Sequence, residues 1–233
     1  MEWFTPADLY CERLGAEFWA EPFNAVSNIV FIFASLWAWY SAVKRGKLDG
    51  IIILLCVLSA SIGIGSFLFH TYANLWSSFA DVIPIWTFIA LYVVVSVIRI
   101  TGKSPLRVGG IAFGVIAIII GIVWIMSSGS ATQVEASTDP LNGTTQYTPA
   151  FIAVWVFAFI TYRNNHEIMP WIVSAALVFT LSLVARILDF HLCGVFPTGT
   201  HFMWHILNGV MIALLLQGLI RIEQKVPLKI NKT

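Results

Sequence analysis

Two histidines four residues apart, His201 and His205, open the last apolar run of the chain, in Pro197-Thr198-Gly199-Thr200-His201-Phe202-Met203-Trp204-His205-Ile206-Leu207-Asn208-Gly209. If Thr200 caps a helix that starts there, both imidazoles leave one helix face, close enough to hold one ion. A third, His70, ends an earlier run, Gly65-Ser66-Phe67-Leu68-Phe69-His70, in which Ser66 lies four residues before it on the same face. Asp81 enters the next run one turn before Pro84, whose ring frees a carbonyl and favours a bend. Three neutral imidazoles with one open position are the ligand set of a catalytic zinc, beside which a carboxylate can serve as general base and a hydroxyl as oxyanion donor. The plainer alternative is helix-end histidines at a membrane interface, because pairs at this spacing are frequent by chance. The elements must therefore bring these side chains to one depth.

Of 233 residues, 58% are hydrophobic and 11% charged, against the roughly 25% charged of a soluble domain, so the chain is an integral membrane protein. A net charge of +1 without a concentrated basic face excludes a nucleic-acid partner, and ten Trp suit anchoring at the bilayer interfaces. Apolar runs at about 25–43, 51–70, 79–98, 106–126, 148–162, 170–188 and 201–220 predict seven transmembrane helices, the fifth being the shortest. The fold class is thus an all-α integral membrane protein with one domain over 1–233, built around an intramembrane zinc site. Residues 1–24 mix acids with aromatics and lack the basic start and apolar middle of a signal peptide, so they read as an outer interfacial segment. The polar stretch 127–148 reads as a loop and 221–233 as a tail.

Lys44, Arg45, Lys47, Arg99, Lys103, Arg107, Arg163, Arg221, Lys225, Lys229 and Lys232 fall on one side of this arrangement, and only Arg13 and Arg186 on the other. By the positive-inside rule the N-terminus faces out and the C-terminus is cytoplasmic. His70 then ends an outward helix, while Asp81, His201 and His205 begin inward ones, so all four reach the same outer layer. Intramembrane ionisable groups seldom face lipid, which favours the metal reading. Cys11 and Cys193 also fall on the outer, oxidising side, with Cys56 inside a helix, and a Cys11–Cys193 disulfide is expected.

Gly65-Ser66-x-x-x-His70, Asp81-x-x-Pro84 and Gly199-Thr200-His201-x-x-Trp204-His205-x-x-Asn208 resemble the alkaline ceramidase family, within a wider group of seven-helix membrane hydrolases that includes adiponectin-receptor-like proteins. The N-terminal piece, Tyr10-Cys11-Glu12-Arg13 and then Phe18-Trp19-Ala20-Glu21-Pro22-x-Asn24-Ala25-x-Ser27-Asn28, is similar to the bacterial branch and sets the chain apart from receptor-like members. The resemblance implies a zinc amidase that splits ceramide into a sphingoid base and a fatty acid in a bacterial inner membrane. His70, His201 and His205 match the zinc ligands, and Asp81 and Ser66 the other active-site residues. It also implies a calcium site at Glu12 and Glu21, to which Asp8 and Glu17 add carboxylates. Leu9 and Leu14 stand where that site has Asp and Asn, and the alternative is that these acids solvate the segment and cap the first helix.

The rival function is a receptor-like or interaction protein in which zinc only ties helices together. His166 and His191 read as surface residues or outer partners of a ligand, Arg186 and Asp189 as an ion pair or network, with Asp189 as a carboxylate behind a ligand histidine the alternative, and Asn208 as a pocket or ligand-orienting residue.

Overall fold

The structure, a computed structural model, describes residues 3–7, 9–111, 114 and 141–222. Its helices are α1 (Pro22–Ser27), α2 (Ile29–Lys44), α3 (Gly50–Tyr72), α4 (Leu75–Thr101), α5 (Thr148–Arg163), α6 (Met169–Leu192) and α7 (His201–Arg221), and residues 105–111 are also helical. The described residues contain no strand, only an isolated bridge between Pro6 and Asn74. Five stretches are long and apolar enough to cross a membrane: Pro22–Lys44, Gly50–Tyr72, Leu75–Thr101, Met169–Leu192 and His201–Arg221. The run expected at 106–126 lies mostly outside the described residues, as do most of the expected loop 127–148, the tail beyond Ile222, and Asp8.

Boundaries differ from expectation at several places; one helix, α6, runs on from the expected 188 to Leu192 and takes in Asp189 and His191. The run expected over 25–43 divides at Asn28, whose N–H turns back to Ala25 and Val26. Its first helix starts at Pro22, a residue suited to the first turn because its missing N–H would have had no helical partner. The run expected from 79 starts at Leu75, where Asn74 and Ser77 form a reciprocal capping box. The polar first turn hid this start from an apolar count, and Asp81 therefore sits in the second turn of α4.

Helix α3 packs against α4 and α2, α2 against α7, and α6 against α5 and α7. Ala34, Ala38 and Ala42 on α2, with Ala175 and Ala176 on α6, are buried in these seams, where small side chains let backbones approach. In lipid such close packing replaces the hydrophobic drive available in water. A core of Ile52, Leu55, Ile168, Ile172, Leu216, Leu219 and Ile220 fills the end of the bundle remote from His70 and His201. Exposed Phe33, Leu36, Phe159 and Leu181 clothe the outside in apolar surface, as a lipid solvent requires.

Near the site, Gly65 brings α3 onto α4. A methyl group there would collide with the backbone carbonyl of Ala80, the carbonyl that Pro84, having no N–H, cannot bond. This contact sets Ser66 beside Asp81.

Residues 3–7 are pinned to the α3–α4 turn by Trp76 N–H to Trp3 O, Leu75 N–H to Thr5 O and Ala7 N–H to Ala73 O. Further on, the expected disulfide between Cys11 and Cys193 ties the N-terminal segment to the connection between α6 and α7, with Cα atoms 5.7 Å apart. It closes a loop spanning 182 residues, and such closure contributes about 2–4 kcal/mol.

Candidate active site

Helix α7 begins at His201 behind Thr200, as the sequence predicts, but Thr200 does not cap it with its side chain. The Thr200 hydroxyl donates to Ala185 O at 2.6 Å, and the capping group comes from α6: Asp189 Oδ1 accepts the N–H groups of Thr200 at 2.7 Å and His201 at 2.9 Å. Asp189 Oδ2 accepts Cys11 N–H at 3.1 Å, so one carboxylate joins α6, α7 and the N-terminal segment. Gly199, with φ of +61°, leaves no room for a side chain against Asp189 and Cys11. The expected Arg186–Asp189 pair does not form. Arg186 instead donates from Nε to Asn142 O at 2.9 Å and lies over the rings of Tyr10, Tyr147 and Trp204.

His70, from the last turn of α3, meets His201 and His205 from the start of α7, with candidate ligand atoms all within 4.8 Å of one another. Their exposures are 1%, 1% and 3%, so bulk solvent does not reach them. Their partners assign the protons. Nδ1 of His70 faces the Glu21 carboxylate at 2.6 Å, an acceptor, so that nitrogen carries the hydrogen. With the Ser27 hydroxyl donating to Asn24 O at 2.9 Å, Nδ1 of His205, 2.8 Å from Ser27 Oγ, donates in turn, which is the tautomer that ligates through Nε2. Both Nε2 atoms are then left with lone pairs, aimed at each other across 3.1 Å. Two lone pairs at that distance repel unless a cation lies between them. Nδ1 of His201 is also buried without a partner among the described residues. This donor set fits a metal such as zinc, with each of two imidazoles held in the ligating tautomer by an outer hydrogen bond.

Asp81 and Ser66 line one cavity with His201 and His205, of about 490 Å³. Asn208 lines it too, anchored through Nδ2 to Trp204 O at 2.9 Å. Away from the histidines the walls are apolar, with Phe88, Tyr92, Ile212 and Leu215. Along α4 the lining runs from Asp81 to Thr101, which at the helical rise is about 30 Å. His166 and His191 stay away from this cluster, hydrogen-bonded within their own turns to Ile168 N–H and Ile187 O.

Of the N-terminal acids, Glu12 caps the first helix, as the alternative reading expects, and Glu21 has partners that the sequence did not disclose. Glu12 accepts the N–H groups of Phe23 at 2.7 Å and Asn24 at 2.8 Å, capping α1. Burial pushes its carboxyl up from the ordinary range, opposed by those two amides. Glu21 is buried as well, but hydrogen bonds from His70, Asn24 and Arg13 outweigh the burial and hold it below that range. Sequence reasoning also missed Tyr10, whose ring stacks on His201 with centroids 3.6 Å apart, and Arg13 and Ser27. Only their closeness in sequence to Cys11 and Asn28 hinted at them.

The fold and the site together define a polytopic helical protein that carries a buried three-imidazole centre at the polar end of a long apolar cavity. The ceramidase family model matches residues 9–229, and the chain belongs to that family. Membership implies a hydrolase acting on a lipid. Among curated proteins no match is found.

Proposed function

We propose that the protein is a zinc-dependent amidase that hydrolyses the N-acyl bond of ceramide, or of a related lipid, to a sphingoid base and a fatty acid within the membrane. The observation that carries this reading is the convergence of His70, His201 and His205, with their candidate ligand atoms within 4.8 Å of one another, beside a cavity whose wall also holds Asp81 and Ser66. His70, His201 and His205 would hold the ion, which when bound lowers the pKa of water toward about 7 and polarises a carbonyl. The chain's own residues do the rest. Asp81 takes a proton from the attacking water as its oxygen bonds to the amide carbon, and returns it to the nitrogen as the C–N bond breaks. While Asp81 is ionised, the Ser66 proton points at its carboxylate. Once Asp81 has accepted a proton, that hydroxyl is free to turn to the carbonyl oxygen, where negative charge develops. The apolar length of the cavity along α4 takes a lipid chain.

A purely structural ion joining α3 to α7 would have no use for a carboxylate and a hydroxyl on the cavity wall. The test is incubation of the purified chain with a panel of N-acyl lipids, followed by mass analysis. Fatty acid is expected from ceramide, to be lost with a zinc chelator and regained on adding zinc. No release from any N-acyl lipid by zinc-loaded protein would sink the reading.

The same proposal sets the N-terminus outside and the site in the periplasmic half of a bacterial inner membrane. The asymmetry of Lys and Arg supports it, as does a disulfide on that side. Reporter fusions near Lys47, Lys103 and Arg163 are expected to behave as cytoplasmic and those near Asn74 and Asn142 as external; the reverse pattern rejects the orientation.

A further inference from the structure

Arg13 is almost wholly buried against the metal centre, and its guanidinium reaches one histidine by two routes. Through its side chain, Nε meets Glu21 Oε1 at 2.5 Å and Glu21 Oε2 meets His70 Nδ1 at 2.6 Å, with side-chain exposures of 5% for Arg13 and 2% for Glu21. Through the backbone, Nη2 donates to His70 O at 3.0 Å. His70 lies in the last turn of α3, so its carbonyl is among those with no helical donor, and a cation there also opposes the negative end of the helix dipole. The remaining nitrogen, Nη1, donates to Gly15 O at 3.0 Å. One planar group thus grips both the ring and the carbonyl of a single candidate ligand.

We propose that Arg13 is a positioning residue of the metal centre, the cation built into its outer shell, and that it, rather than a calcium ion, is the cation that Glu21 meets beside the metal-site histidines. The inference rests on the metal reading of the three imidazoles. A hard divalent cation needs six or more oxygen ligands. Among the described residues Leu9 and Leu14 offer none from their side chains, Glu17 is exposed at the surface, Glu12 is engaged by two amides, and Glu21 by Arg13, Asn24 and His70. A guanidinium in this place fixes the Glu21 carboxylate against Nδ1 of His70 and holds the carbonyl of the same residue, so it sets where the ring stands and which edge faces the other two imidazoles. Lysine, a compact point charge, cannot span Glu21, Gly15 O and His70 O together.

The test compares zinc affinity, by competition with a chelator of known strength, in the full purified chain and in Arg13→Gln and Arg13→Lys variants. Helix content and the disulfide serve as controls for folding. Arg13→Gln is expected to weaken zinc binding about 10- to 100-fold, the range for a lost outer partner. Arg13→Lys should fall between, a graded rescue that a merely structural residue would not produce in metal affinity. Wild-type affinity is expected to be indifferent to calcium and to a calcium-selective chelator. Wild-type zinc affinity in Arg13→Gln, or calcium that tightens zinc binding by the unaltered chain, overturns the proposal. If Arg13→Gln does not fold, Arg13→Lys decides, and unweakened binding there has the same consequence. An unaltered chain with no affinity for zinc would overturn the metal reading itself, and this inference with it.

Discussion

Replacing His70, His201 or His205 by alanine, one at a time, is expected to strip the metal and reduce amide hydrolysis to the uncatalysed background while the bundle stays folded. Three protein ligands leave no spare: with two imidazoles the ion keeps too few donors, and no other Cys, Asp or Glu among the described residues joins their cluster. The loss of affinity should exceed the about 10- to 100-fold attached to outer partners. Folding should survive because the apolar core of α2, α3, α6 and α7 lies at the other end of the helices, and the disulfide still ties residue 11 to residue 193. His70→Ala leaves Glu21 paired with Arg13 and Asn24, so no buried charge is abandoned. Metal content, turnover and thermal unfolding are to be measured on the same samples. A histidine variant that retains a full complement of zinc and normal turnover contradicts the ligand assignment, and one that unfolds outright points to a structural ion.

Asp81→Asn should separate chemistry from metal binding. The amide side chain has nearly the shape of the carboxylate but cannot accept the water's proton, so zinc content is expected to stay at the wild-type level while turnover falls by about 100- to 10,000-fold. Ser66→Ala removes one donor to the developing oxyanion and is expected to cost on the order of 3 kcal/mol in the barrier, again with metal retained. Because the two side chains line the same cavity from helices in close contact at Gly65 and Ala80, their effects should not add. The double variant is expected to lose less than the product of the single losses. Wild-type hydrolysis by both single variants, on a substrate that the parent cleaves, would remove Asp81 and Ser66 from the mechanism and favour an ion that only joins helices.

Features carried by one helix or by the solvent were legible in the sequence. The apolar runs declare a membrane protein because lipid admits few charges, and five of them recur as helices of spanning length. His201 and His205 share a face because four residues make about one helical turn. Ser66 and His70 share one for the same reason, and the pairing of Cys11 with Cys193 followed from which side of the membrane each residue reaches. Features that depend on chain approaching chain were not legible. Asp189 was expected to face Arg186, one turn away on α6, yet it caps α7 and holds Cys11, because buried amides at a helix start need an acceptor and tertiary packing supplies this one. Asn28 interrupts an apolar run that composition reads as continuous. Glu21 was singled out only as a candidate calcium ligand, by resemblance. Only the fold puts it between Arg13 and His70, where a partner 49 residues away determines which nitrogen of the histidine is free to bind an ion.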